Sequence, residues 1–107
     1  AAAAIRETRD QAEAEYRRAA ELAPASAEPK IGLSSVIGDF GQIEEAVELL
    51  QQAVQLEPLS VNAHFDLARL LASLGRYDEA VQSAQKAVEL QPGGMAVRVL
   101  MNRPPVK

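Results

Sequence analysis

The sequence predicts an all-α fold in which antiparallel helix-turn-helix repeats stack as a short right-handed α-solenoid. Three observations lead there. First, Pro24, Pro58 and Pro92 stand 34 residues apart. Second, Ala27–Pro58 aligns without a gap on Val61–Pro92, with ten identities in 32 positions: Leu33/Leu67, Gly41/Gly75, Glu45/Glu79, Ala46/Ala80, Val47/Val81, Gln51/Gln85, Ala53/Ala87, Val54/Val88, Leu56/Leu90 and Pro58/Pro92. So many matches in one register exclude chance, and a period of this length is the mark of a repeat array. Third, the apolar residues of each unit recur at the spacing of a helix rather than a strand. Composition agrees: aromatics are only 4% and alanine supplies much of the 48% apolar content, which suits close-packed helices better than a sheet.

The elements follow in order. The segment before Pro24 joins the register through Ala12, Ala19 and Leu22. In the next unit Leu33, Val36, Ile37 and Phe40 mark the apolar stripe of a first helix, and Ile43, Ala46, Val47, Leu50, Ala53 and Val54 that of a second. The third unit repeats the plan with Leu67, Leu70, Leu71 and Leu74, then Tyr77, Ala80, Val81, Ala84, Ala87 and Val88. Gly41 and Gly75 lie just past the first stripes, where a left-handed residue ends a helix without a Cβ penalty. The prolines end the second helices, because proline lacks an amide hydrogen and collides with the preceding turn. Ser26 and Ser60 are placed to cap the helices that follow. Ala46, Ala53, Ala80 and Ala87 allow neighbouring helix axes to approach to the short end of the usual ~8–10 Å range.

The chain therefore reads as one domain over 1–107: a partial first repeat at 1–26, mainly its second helix, a second repeat at 27–60, a third at 61–94, and a closing helix and tail at 95–107. In that last segment Val97, Leu100 and Met101 are placed to pack on the final hairpin. The chain opens without methionine and ends at Pro104-Pro105-Val106-Lys107, so both ends read as cuts from a longer polypeptide.

Charge and composition exclude several functions. The net charge is -4, and eleven Lys and Arg are interspersed among fifteen Asp and Glu, so no basic stripe forms for nucleic acid or for an anionic membrane surface. No apolar run reaches the length of a membrane span. Ala1–Ala4 runs directly into Arg6, Glu7, Arg9 and Asp10, which is not a signal peptide. With no cysteine there is neither a disulfide nor a thiolate metal site. The compartment stays open, with a soluble, cytoplasmic setting favoured.

No catalytic or cofactor-binding constellation is visible. His64 is the lone histidine and has no second group for acid–base work; a packing role outweighs partner contact. Glu44-Glu45 and Asp78-Glu79 open helices, where negative charge suits the dipole. Gly38-Asp39-Phe40-Gly41 is a helix-ending turn rather than a phosphate loop, since no strand precedes it and no lysine follows. There is no metal-ligand spacing, and Met95 and Met101 read as packing residues.

These residues resemble the tetratricopeptide repeat. The better match runs from His64 to Pro92 and contains Leu67-Ala68, Leu71, Gly75-Arg76-Tyr77-Asp78-Glu79-Ala80, Ala84, Ala87 and Pro92; the other runs from Ile31 to Pro58. There are departures from the pattern. Lys30 and His64 replace the bulky aromatic that opens the first helix, and Ser34 and Ala68 replace its glycine. Glu7 stands where the first unit would have its turn glycine. Ala1–Leu22 is then either one long helix or a truncated helix end followed by a second helix, and Thr8 with Gln11, as a capping box, favours a break near Thr8.

The resemblance implies a concave groove, lined by first helices, that takes an extended or helical peptide. Carried onto this chain, its candidate residues are Glu28, Ile31 and Ser35 in one unit and Asn62, Phe65, Arg69 and Ser73 in the next. Phe65 is the single strongest candidate, since aromatics and arginines dominate hot spots; packing between hairpins is its equal alternative. The carboxylate clamp of some family members does not fit, because its slots here hold Ala1, Gly32, Asn62 and Asp66, and Asp66 would repel a carboxylate. The expected function is a non-enzymatic protein-interaction module that binds a peptide or protein segment as part of a larger scaffold. The alternatives are a structural segment that forms homo-oligomers through open solenoid ends, and a regulatory segment of a larger enzyme.

Overall fold

The computed structural model describes the backbone of residues 2–92 and the side chains of residues 7–92. The expected closing helix with Val97, Leu100 and Met101 lies outside the described residues. Five α-helices follow one another: α1 (Ala2–Leu22), α2 (Glu28–Asp39), α3 (Ile43–Leu56), α4 (Val61–Ser73) and α5 (Tyr77–Leu90). Consecutive helices pack on each other, most extensively α2 on α3 and α4 on α5, with α1 against α2 and α3 against α4 joining the hairpins. The described residues thus form an all-α helical-repeat solenoid.

The two hairpin turns are built alike. Gly41 and Gly75 have φ of 93° and 77°. In the first turn the Gly41 amide donates to the Gly38 carbonyl at 3.1 Å and the Gln42 amide to Ile37 at 3.0 Å; in the second, Gly75 donates to Ala72 at 3.0 Å and Arg76 to Leu71 at 2.9 Å. This paired bonding satisfies the last carbonyls of α2 and α4 and needs a left-handed residue at its centre. The helices that precede proline end differently. Glu57 and Gln91 are extended, at φ/ψ of -133°/81° and -144°/83°, as the residue before a proline must be.

Capping departs from expectation at one of the two serines. Ser60 is the N-cap of α4, and its hydroxyl accepts from the Ala63 amide at 3.3 Å. Ser26 does not cap: the N-cap of α2 is Ala27, with no side-chain hydrogen bond. The repeat register supplies the reason. Pro29 occupies the place of Ala63, so the amide hydrogen that Ser26 would accept does not exist.

The core lies between the hairpins. Leu33 and Ile37 of α2, Ala46, Val47 and Leu50 of α3, Leu67, Leu70 and Leu71 of α4, and Ala80 of α5 form one buried cluster. Ala27, Ala53 and Ala63 form a second, covered by Ile31 and Val54. Ala46, Ala53, Ala80 and Ala87 are all buried, as small side chains between packed helices are expected to be. Ile37, Leu50 and Leu71 are the largest enclosed side chains, each contributing roughly 1.5–3 kcal/mol by removal from water.

Three stripe residues sit elsewhere than the periodicity implies. Tyr77 is 45% exposed and Phe40 48% exposed. Tyr77 opens α5, and no described helix follows α5 to cover its outer side. Phe40 has left α2 as its C-cap, and the Arg9 guanidinium lies 5.0 Å from its ring centroid, so a cation on α1 rather than the core takes the ring face. Leu22, at the end of α1, is 74% exposed.

The expected break near Thr8 is absent: α1 is continuous from Ala2 to Leu22. Its residues are strong helix formers, and Glu7 occupies the site where the other units place a helix-ending glycine. Arg9 and Arg17 both reach Glu13 one turn away, at 3.6 and 3.0 Å, spanning the segment after the supposed break. Arg17 also donates to Glu45 of α3 at 3.0 Å, which ties α1 to the next unit. Hydrogen bonding to Glu45, then to Glu13, raises the Arg17 pKa against the opposing effect of burial.

Candidate interaction groove

The N-terminal ends of α2 and α4 come together with the face of α1 around a groove of about 510 Å³. Tyr16 and Ala19 line it from α1, Ser26 from the following turn, Glu28, Pro29, Ile31 and Gly32 from α2, Glu57 and Ser60 from the α3–α4 turn, and Asn62 from α4. The repeat explains this arrangement: Glu28 and Asn62 are equivalent positions in consecutive units, so stacking brings them side by side.

The approach of α1 to α2 depends on Gly32. An added Cβ there would lie 2.6 Å from Cζ and 2.8 Å from Cδ1 of the Tyr16 ring, and nearer still to Cε1. The ring therefore rests directly on the α2 backbone. A glycine inside a helix costs about 1 kcal/mol relative to alanine, and here the cost accompanies a close contact that also forms one wall of the groove.

The other wall is held by hydrogen bonds. His64 Nε2 lies 2.7 Å from the Pro58 carbonyl. A carbonyl only accepts, so Nε2 carries the proton and donates. The Ser60 amide donates to the Glu57 carbonyl at 3.1 Å. His64 thus fastens the turn bearing Glu57, a role that neither packing nor partner contact anticipated.

Of the residues expected to face a partner, the groove gathers Glu28, Ile31 and Asn62. Ile31 is half-buried and packs against both core clusters, so it forms the groove floor. Ser35, Phe65, Arg69 and Ser73 do not line this groove. Ser35, Arg69 and Ser73 are exposed, and the Ser73 hydroxyl donates to the Arg69 carbonyl at 3.1 Å. Phe65 is half-buried and belongs to neither buried cluster. Beside it Arg69 approaches Asp66 at 4.0 Å. Burial raises the Asp66 pKa, the Arg69 charge opposes this, and the Asp39 charge adds to it.

Sequence reasoning missed Tyr16, Gly32 and Glu57. A glycine within an otherwise well-formed helix is a signal of close approach, but does not say which residue approaches. Tyr16 carried no signal, because the α1 register did not show which face α2 covers. Among the described residues no group of three or more His, Asp or Glu is placed to hold a metal ion, and no helix is long and apolar enough to cross a membrane.

Comparison with known proteins fits this architecture. A sequence model of the tetratricopeptide repeat matches residues 38–94. No curated protein matches significantly. Among solved structures, the Arabidopsis OM64 TPR domain superposes with a TM-score of 0.83 at 22% identity, covering 95% of this chain and 84% of that one. YrrB, described as a TPR protein with an unusual peptide-binding site, gives 0.81 at 20% identity, covering 92% of this chain and 51% of YrrB. MamA gives 0.78 at 24% identity, covering 85% of this chain and 52% of MamA. The chain thus spans about half the length of MamA and YrrB, and at these identities the likeness carries the fold alone. With a 34-residue hairpin closed by the same glycine turn in both complete units, and a family model matching more than half of its length, the chain belongs to the tetratricopeptide repeat family.

Proposed function

We propose that the chain is a protein-interaction module that holds a peptide or an extended segment of a partner protein in the groove between α1, α2 and α4. The observation that carries this reading is the groove itself. It combines an apolar floor and wall, from Ile31 and the Tyr16 ring, with separated polar groups on Glu28, Glu57, Ser60 and Asn62. Such a surface can bury part of a side chain while fixing its orientation by hydrogen bonds. The continuation of the α4 face through Phe65, Arg69 and Ser73 extends the same surface beyond the groove. The reading contains no catalytic step, in keeping with a family that is typically non-catalytic.

The test is affinity capture with the chain as bait beside two variants shown by circular dichroism to be equally folded, Tyr16→Ala/Asn62→Ala in the groove and Phe65→Ala/Arg69→Glu beyond it. A protein held by the parent chain and lost with the groove variant supports the reading. Retention of the same proteins by all three baits refutes it. A structural, self-associating role is favoured by one observation, the exposure of Leu22 and Leu59 at 74% and 75%. That role requires the mass in solution to rise with concentration.

A further inference from the structure

We infer that the groove selects its partner by a basic side chain: a lysine or arginine whose charge lies between Glu28 and Glu57 while its aliphatic stem rests on Ile31 and the Tyr16 ring. This rests on the reading of the groove as the docking surface and names the chemistry of its occupant. The lining contains two carboxylates and no Lys, Arg or His. Its remaining polar side chains are hydroxyls and one amide. Charge complementarity therefore points to a cation. Lys and Arg also supply a stem of methylenes for the apolar floor, which a bare cation does not.

The fold accounts for one of these acids and not for the other. Glu28 is in the first turn of α2, where the helix dipole favours negative charge. Glu57 is the C-cap of α3, where the last carbonyls already present negative charge. The equivalent positions in the neighbouring units hold Ala23 and Gln91, so the repeat does not require an acid there. Neither Glu28 nor Glu57 forms an ion pair among the described residues, and both are exposed. Lys30, on α2 beside Pro29, does not line the groove. Further along α2 and α4, the Asp39 charge lies near enough to oppose ionisation of Asp66, with Arg69 as the cation beside Asp66. Along this surface a positively charged segment meets unpaired carboxylate at the groove and an excess of carboxylate beyond it.

The experiment pans a displayed library of random dodecapeptides on the whole chain. Enriched peptides are then synthesised and titrated by fluorescence anisotropy at low and high salt. Three proteins are compared: the parent chain, Glu28→Gln/Glu57→Gln, and Tyr16→Ala. The expected result is that enriched peptides share a Lys or Arg whose replacement by Gln weakens binding about tenfold, as two partly exposed ion pairs together allow. Glu28→Gln/Glu57→Gln should lose the same factor, the two changes should not add, and high salt should erase the difference. If enriched peptides lose affinity with Tyr16→Ala but show no basic preference and bind Glu28→Gln/Glu57→Gln as well as the parent, the cation inference fails and the groove reading stands. If no peptide is enriched, or all bind the three proteins equally, both fail.

Discussion

Gly32→Ala tests the contact that joins α1 to the repeats. Two opposing effects are expected. Replacing a helix-interior glycine by alanine stabilises α2 by about 1 kcal/mol. The new methyl, however, occupies the space of the Tyr16 ring, 2.6 Å from its Cζ. Tyr16 is 38% exposed, so the ring has room to swing outward rather than force the helices apart. Its displacement returns roughly 60–80 Å² of apolar surface to water, a loss of about 1.5–2 kcal/mol. Gly32→Ala should therefore destabilise the parent chain by about 0.5–1 kcal/mol. In a Tyr16→Ala background no ring stands in the way, and the same substitution should stabilise by about 1 kcal/mol. The difference, a coupling energy of about 1.5–2 kcal/mol, is read from urea unfolding followed by circular dichroism on all four proteins of the cycle. Equal stabilisation by Gly32→Ala in both backgrounds would refute the stacking of Tyr16 on Gly32 and remove one wall of the proposed groove.

Four further outcomes follow from the fold. Leu50→Ala empties an enclosed site among α2, α3 and α4 and should cost about 2–5 kcal/mol; a thermal melt close to the parent's contradicts that placement. Ala80→Leu inserts bulk where α5 meets the central cluster and should cost about 1–3 kcal/mol by overpacking; superimposable melts would show the site has room. Ser60→Ala should cost about 1 kcal/mol for the lost cap, whereas Ser26→Ala should be silent, because Pro29 offers no amide hydrogen; equal effects in urea titrations would overturn the distinction. Asp66 is held above its usual pKa, so the native state binds the proton more tightly than the unfolded chain. Its favourable contribution is complete below the unfolded value and is lost as pH rises through the native one. Asp66→Asn should then be more stable than the parent near neutral pH, with the advantage shrinking as pH falls through the raised native value and gone below about pH 4. If it is less stable at neutral pH, attraction to Arg69 outweighs burial.

Much of the hairpin was legible in the sequence because each of its signals is local. A glycine that must be left-handed, a proline that must end a helix, and a 3.6-residue apolar stripe act within a few residues of themselves, and a repeat shows each of them twice. The break near Thr8 failed for the complementary reason. A capping box is a permissive signal: it helps a helix to start but does not compel one to stop, and α1 has no glycine or proline there to interrupt it. The cap expected at Ser26 failed through a single neighbour, since the residue types matched Ser60 but the donor three residues on was a proline.

The groove was less legible than the hairpins. Glu28, Ile31 and Asn62 were reached by carrying the family resemblance onto the chain, and for Glu28 and Asn62 the reason is plain, because stacking in a solenoid brings equivalent positions of neighbouring units together. Tyr16 and Glu57 could not, since one belongs to the flank of a partial unit and the other to a turn. The sequence by itself determined the repeat, its helices, its glycine turns and its buried alanines, all consequences of backbone geometry and local burial. Only the tertiary structure decided which face of α1 meets α2, that Tyr16 rests on Gly32, that His64 fastens the Pro58 turn, and which carboxylates share the groove. Those contacts depend on how rigid helices settle against one another, and packing between distant segments leaves no periodic trace in the chain.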